Sequence, residues 1–459
     1  MKLSALTALS PLDGRYAEQL TAVAPMFSEL NLILMRLSIE IEWLKTLANE
    51  PKISQIKPFT KKELKFLHGL VEKFTSEDVT RIKDLEKQTK HDSKAVEYFL
   101  KEKLGTNEQL KSYQEFVHFG CTSDDINNLS YAVILLKTRE EILLPLIEKM
   151  SFRLEKMALR YAKTPMLART HGQAATPTTF GKEIANTIYR LFRQTEYLCN
   201  TPILGKFNGA VGNFNALTIA YPNLNWQKIC NNFVKQLQLS WNPYTTQSEP
   251  HDWLAEYCDI LARFNTILLD FCRDIWGYIS LGYCKQKARP NEIGSSTMPH
   301  KINPINFENA EGNLGLANAL LRHFSSKLPI SRWQRDLTDS TVMRNLGVAI
   351  GYSVLAYKSL LQGLDKIAID NKAMKQDLNN HWEVLSEAIQ TVLRCNGIDA
   401  PYEKIKTLTQ GQHLDQKTLQ KFIKQLDMPK EAKQKLLKLS PENYLGKACE
   451  LAAAIHCED

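Results

Sequence analysis

No stretch of this sequence approaches the roughly 20 consecutive apolar residues that a membrane-spanning helix needs. The amino terminus also lacks a basic stretch followed by an apolar core, so a secreted or membrane protein is not expected. The nine cysteines, an odd number scattered from Cys121 to Cys457, show no C-x-x-C and no Cys/His ligand spacing. That speaks against a disulfide framework or a zinc motif and for reduced thiols in the cytoplasm. Charge of one sign is not in great excess: 58 basic residues face 50 acidic ones, a net +8 that is not gathered into blocks. Aromatic residues do not interleave with the lysines of the carboxyl-terminal part, so acidic small molecules are expected as partners and nucleic acid is not. Internal repeats, low-complexity segments and long period-two alternation are missing as well, which removes repeat and all-β architectures.

What the sequence has is helical periodicity. Its 459 residues correspond to about three domains. Composition divides them into an amino-terminal helical segment, 1–111, a central segment of long helical runs with few breakers, 112–365, and a lysine-rich segment of short helices, 366–459. In the first, Leu30, Ile33, Leu34, Leu37, Ile41, Leu44 and Leu47 step by three and four, one buried helix face. In the second, Leu254, Tyr257, Leu261, Phe264, Leu268, Phe271 and Ile275 form a bundle seam, and Phe307, Leu314, Leu321 and Leu328 recur at sevens. The run from Asn127 to Tyr161 is broken only by Pro145, which predicts a kink or local irregularity. In the third, breaks are expected around Gly397, Pro401, Gly411 and Pro429. The fold class is all-α, three domains around a bundle of helices about 45 Å long at ~1.5 Å per residue. Such helices leave apolar faces that one subunit does not cover, so self-association is expected.

The stretch Glu292 to Glu308, EIGSSTMPHKINPINFE, lies between two of these helices. Gly294 and three hydroxyl residues mark a loop, and Asn303 as N-cap with Pro304 at the first helical position starts the next helix. Free N–H groups, a helix dipole and Lys301 make an anion site there. Positive charge and donors favour an alkoxide, so either Ser295 or Ser296 is a candidate base beside an acidic substrate. A solvated Ser/Thr loop with an incidental lysine fits the same letters.

Ser295 to Asn303 resembles the S-S-x-M-P-x-K-x-N signature of the fumarase/aspartase superfamily. Thr122-Ser123-Asp124-Asp125-Ile126 resembles its T-S-x-D-I run, and Thr170-His171-Gly172-Gln173 its T-x-x-Q run with the catalytic histidine. Ser10 to Tyr16, Lys90-His91-Asp92 and Ser331 to Ser340 continuing to Arg344-Asn345 resemble the long bacterial adenylosuccinate-lyase branch. The resemblance runs from Leu3 to about Gly446.

It implies elimination of fumarate from an N-succinyl nucleotide without metal or redox cofactor, in a homotetramer whose active sites take residues from three chains. Ser295 would be the base, with Ser296 the other register, and His171 the acid. Lys301 and Asn303 would hold the carboxylate where charge develops, and Glu308, beside Asn309, would orient one of these groups. Thr122, Ser123 and Gln247 would contact the substrate near its reacting end. Arg15, Tyr16, Lys90, His91, Asp92, Arg335, Ser340 and Arg344 would form the nucleotide side. The branch more often carries asparagine where Lys90 stands, which leaves its backbone as the contact. Ser340 and Arg344, four apart, share a helix face suited to phosphate or ribose. The segment from Lys285 to His300 is expected to close over substrate. Other superfamily lyases, acting on argininosuccinate, malate or aspartate, share the signature. A helical scaffold without activity would have lost Ser295, His171 or Lys301, and all three are present.

Overall fold

A computed structural model describes residues 4–287, 297–409 and 414–455. The described chain is helical, with strand pairing limited to four two-stranded pairs of two or three residues each. Its longest helix, Asp252–Ser280, has 29 residues. No helix among the described residues is long and apolar enough to cross a membrane. Chain contacts divide the protein into two compact units, unit 1 of residues 1–146, 196–265 and 313–355, and unit 2 of residues 147–195, 266–312 and 356–459.

The seams read from the periodicity are buried. All seven seam positions from Leu254 to Ile275 are at most 3 % exposed, and Phe307, Leu314, Leu321 and Leu328 at most 2 %. Pro145 produces the predicted irregularity: the helix Ser123–Thr138 runs through a π-turn, Arg139–Leu143, into the helix Leu144–Arg160. Proline has no N–H to give to the turn before it, and one wider turn there reroutes the ladder. In unit 1 the helix Glu29–Ala48 buries Ile33, Leu37, Ile41, Leu44 and Leu47, while Leu30 is 41 % exposed. The same face also buries Arg36 and Glu40, four residues apart, which apolar periodicity does not foresee. Trp43 packs against Phe207 and Phe233 at centroid distances of 4.3 and 5.2 Å and donates its indole N–H to the Phe119 carbonyl at 2.9 Å. The helix and the distant loop ahead of Thr122 are thereby held together.

In unit 2 the short carboxyl-terminal helices gather a core of their own from Leu385, Ile389, Leu393, Ile405, Leu414, Leu419, Ile423 and Leu436. Gly397 (φ 67°) follows the helix Ser386–Cys395, and Pro401 and Pro429 stand at helix starts, as their backbone limits require. Gly411 lies outside the described residues. The strand Cys284–Gln286 pairs antiparallel with Ile367–Ile369, and Lys285 pairs with Asp370 at 2.5 Å. This pairing and the Lys287 N–H on the Lys366 carbonyl at 2.7 Å tether the chain up to Lys287.

Candidate active site

Ser295 and Ser296, the two base candidates, lie outside the described residues, and so does most of the segment expected to close. Of the same loop, Lys301 is exposed, donates its backbone N–H to the Met298 carbonyl at 3.0 Å, and has no carboxylate partner among the described residues. The helix Ile305–Lys327 begins one residue later than Asn303 and Pro304 suggest. The Pro304 carbonyl accepts from Phe307 and Glu308 at 3.0 and 3.2 Å, so proline sits just ahead of the helix, where its missing N–H costs nothing. Asn303 and Asn309 are half-buried and Glu308 exposed in the first turn. Buried Phe307 and the bond from the Ser359 hydroxyl to the Asn306 carbonyl at 2.9 Å pin this helix start.

His171 stands at the tip of a hairpin whose strands Arg169–Thr170 and Gln173–Ala174 pair antiparallel. The loop is two residues, His171 (φ 52°) and Gly172 (φ 74°), both in the left-handed region. That is the signature of a type I′ turn, which matches strand twist and accepts glycine readily but histidine at a cost. The imidazole is exposed and bonds to no described residue. The hairpin is anchored through Arg169, which pairs with Asp377 at 2.6 Å; Asp377 also accepts from the Tyr283 hydroxyl. An exposed non-glycine residue held at positive φ is strain of the kind that functional positions retain.

In unit 1, Thr122 is the N-cap of the helix Ser123–Thr138, and Asp125 reaches back to accept the Thr122 N–H at 2.8 Å. This reciprocal contact is a capping box, and it leaves Thr122 and Ser123 half-buried at a helix start. Asp125 is fully buried and salt-bridged to the equally buried Lys206 at 2.9 Å, and accepts from the backbone N–H groups of Asn208 (2.9 Å) and Gly209 (3.1 Å). The neighbouring Asp124 takes one bond from Arg335 at 3.1 Å, while its other oxygen is buried without a partner. Burial pushes its carboxyl pKa up, against the pull of Arg335 and Lys206.

Arg335 directs a single nitrogen, Nη1, at Asp124, Ser248 (2.9 Å) and Asp339 (3.0 Å). Its Nε and Nη2 donate to no described residue, and a fifth of the side chain is exposed. One edge of the fork is fixed to a buried acidic floor and the other is presented. Gln247 lies beside it, its backbone N–H on the Gln334 carbonyl (3.2 Å) and its side-chain amide on the Ala210 carbonyl (3.0 Å).

Ser340 and Arg344 do share one short helix, Thr338–Met343, with Arg344 as its C-cap. Arg344 pairs with Glu29 (2.9 Å) and Asp92 (3.3 Å), and Asp92 is held more firmly by buried Arg36 at 2.8 Å. Burial opposes ionisation of Asp92, but the two arginines and the Ser93 N–H keep its carboxyl pKa below the ordinary value. Arg344 also lines a cavity of about 250 Å³ with Glu29, Leu32, Tyr131, Ile134 and Met343. His91 is the N-cap of the helix Asp92–Gly105, accepting the Lys94 N–H at 3.2 Å through Nδ1. Lys90 ends the preceding helix with φ 56°, the left-handed conformation that asparagine or glycine tolerates best. The asparagine that the resemblance leads one to expect here would suit this backbone better than lysine. Arg15 is exposed, its guanidinium 5.8 Å from the ring of half-buried Tyr16.

One trio that sequence spacing hides comes together. Ligand atoms of Glu40, His118 and Cys121 lie within 4.8 Å of one another, the only such group of His, Cys and acidic residues among the described residues. Glu40 already accepts the His118 backbone N–H at 3.1 Å and bonds its Nδ1 at 2.5 Å. The trio thus acts as a clamp that ties the loop before Thr122 to the helix Glu29–Ala48. Lys206, Ser248, Glu249, His251 and Asp339 were not foreseen as part of the site. Asp339 stands within the quoted Arg335 to Ser340 run, and Pro250-His251-Asp252 directly before a bundle helix was the available signal for His251. Lys206 had none.

A lyase family profile matches residues 14–319, and one described as adenylosuccinate lyase C-terminal matches residues 331–445. The chain is 53 % identical over 451 residues to an adenylosuccinate lyase of Haemophilus influenzae, covering 98 % of this chain and 99 % of the relative. It is 52 % identical over 448 residues to one of Escherichia coli, covering 98 % of both. In fold it is similar to the 3-carboxy-cis,cis-muconate lactonizing enzyme of Pseudomonas putida (TM-score 0.74, 20 % identity, 94 % of this chain and 95 % of that one). A fumarate lyase from Mesorhizobium sp. BNC1 has the same score at 18 % identity, over 94 % and 96 % of the two chains.

Proposed function

The chain belongs to the adenylosuccinate lyase family, and from that premise we propose that it eliminates fumarate from adenylosuccinate, giving AMP, and from succinyl-aminoimidazole-carboxamide ribotide, giving the free carboxamide ribotide. It is a lyase of purine nucleotide biosynthesis. Ser295 removes a proton from the succinyl carbon next to a carboxylate. Lys301, Asn303, Thr122 and Ser123 hold the carboxylates of the carbanion-like intermediate, the C–N bond breaks, and His171 protonates the departing nitrogen. Arg335, Ser340 and Arg344, with Arg15, Tyr16 and the Lys90 to Asp92 corner, take the nucleotide. No metal or redox group is required.

The observation that carries this reading is the match, over nearly the whole length of both chains, to enzymes of that name. The local geometry supports the roles: a histidine held out on a strained turn, an arginine with one edge fixed and one presented, and an exposed lysine ahead of a helix start. We also propose a homotetramer in which three chains complete each site. Exposed aromatics on long helices of unit 2, Phe152 (51 %), Tyr189 (63 %) and Trp276 (52 %), support self-association. Light scattering on the purified protein checks it, and a monomer would overturn it. The function is tested by mixing purified protein with adenylosuccinate and following AMP and fumarate spectrophotometrically. Turnover is expected; failure, with argininosuccinate or malate consumed instead, moves the enzyme to a different branch.

A further inference from the structure

Behind the presented arginine of unit 1 lies a histidine that none of the motifs accounts for. His251 is 4 % exposed and takes φ 64°, the left-handed region, immediately before the helix Asp252–Ser280. Its carbonyl receives the Ala255 N–H at 2.9 Å, and its own N–H goes to Glu249 Oε2 at 2.7 Å. Trp253 Nε1 (3.0 Å) and Asn242 (2.8 Å) lock the Glu249 carboxylate in place. The imidazole therefore sits between two fixed acids, Nδ1 3.6 Å from Glu249 and Nε2 3.5 Å from Asp339. The Asp339 oxygen that faces it is the same one that holds Arg335 Nη1. A strained backbone kept by this many contacts indicates an over-determined position.

We infer that His251 is a positioning residue: by sharing Asp339 with Arg335 it sets the charge behind that guanidinium, and so how strongly the presented edge holds the anionic part of the nucleotide. The charged groups facing the imidazole are Glu249 on its own loop, Asp339 on the helix Thr338–Met343 and Asp124 on the helix Ser123–Thr138. Three carboxylates thus share Arg335 and His251, with Lys206 near Asp124. With the imidazole protonated, Asp339 divides its charge between two cations. Once the proton is lost, Asp339 falls to Arg335 alone, and the excess negative charge at the rear lowers the potential at the edge that faces the ligand. Burial by itself would depress the imidazole pKa, but the carboxylates outweigh it and raise it. The grip is therefore firm below that raised pKa and loosens as pH climbs through it.

This rests on Arg335 as a nucleotide ligand, and the test separates the two. AMP affinity by titration calorimetry, and KM and kcat for adenylosuccinate, are measured across pH on the full-length wild type, His251→Gln and Glu249→Gln. A phosphomonoester itself ionises near pH ~6 and binds better as pH rises, so the readout is the difference between variant and wild type. His251→Gln is expected to weaken AMP binding and raise KM about tenfold on the acid side, the size of coupling between contacting groups, with little change in kcat and no alkaline loosening. Glu249→Gln keeps the imidazole but removes a stabilising carboxylate, so loosening should begin at lower pH; it also serves if the first variant fails to fold. A wild-type pH profile retained in His251→Gln, or a fall in kcat with KM and AMP affinity unchanged, overturns the inference. A wild type that binds AMP with this profile but leaves adenylosuccinate intact overturns the proposed reaction and leaves His251 its role.

Discussion

The floor under Arg335 and the hairpin that carries His171 are built on opposite principles. Around Arg335 the buried acids are held by several partners, one Asp124 oxygen excepted: Asp125 meets Lys206 and two backbone donors, and Asp339 meets Arg335, His251 and the Ser340 N–H at 2.6 Å. At the hairpin the imidazole is exposed, unbonded to any described residue, and held on a strained turn. Groups that bind a ground-state anion gain from being fixed in advance, because ordering them later would consume binding energy. An acid has to meet a leaving atom, and it stays free until substrate and the rest of the site arrive. On the proposed roles, the difference teaches that burial and bonding accompany the binding residues, and a strained backbone the reacting one.

Breaking the reacting half should have the largest effect. His171→Gln is expected to lower kcat by ~10²–10⁴ with AMP affinity unchanged, read by steady-state kinetics and calorimetry. A comparable loss of affinity would place His171 on the binding side. Breaking the floor should instead show in stability. Lys206→Met leaves Asp125 buried without its cation, at a cost of about 3–5 kcal/mol, measured as a lowered denaturation midpoint. An unchanged midpoint would mean that the buried Lys206–Asp125 pair carries none of the stability assigned to it.

Gly172→Ala acts between the two, placing a Cβ at φ 74° for about 1–2 kcal/mol of local strain. Stability should fall by no more than that strain, since open space surrounds the site and no clash adds to it, while kcat falls through displacement of His171. Acid separates the halves once more. The carboxyl pKa of Asp92 is depressed in the folded protein, so its stabilising contribution is complete above the unfolded value of about 3.9 and disappears as pH falls through the lower folded value. Thermal melts of Asp92→Asn should lose less stability than wild type over that range, and parallel curves would refute the linkage. The smallest effect is expected at Lys90→Asn, a gain of up to about 1 kcal/mol from relief at φ 56°, read from the melting temperature. A loss there would mean that the lysine side chain carries a contact.

Much of this was legible in the letters. Side chains three and four apart must share a helix face, so the buried seam Leu254 to Ile275 could be read without coordinates, as could the disturbance at Pro145. His171 was named through its motif, but its strained turn was not, since positive φ at a histidine has no sequence signature beyond the glycine that follows. The partners of Arg335 were hidden for a different reason. Asp124, Ser248 and Asp339 lie 211, 87 and 4 residues away, and only tertiary packing turns such separations into one floor. Lys206 shows the limit most clearly: a lone lysine among apolar letters reads as surface, yet here it is fully buried.

The most direct test of the account is the turnover of adenylosuccinate by Ser295→Ala, with AMP affinity measured on the same preparation. If Ser295 is the base and the arginine floor binds the nucleotide independently of it, cleavage to AMP and fumarate should all but vanish while AMP binds as it does to wild type. Near-normal turnover in that variant would contradict the assignment of the base and, with it, the division of labour between the two halves of the site.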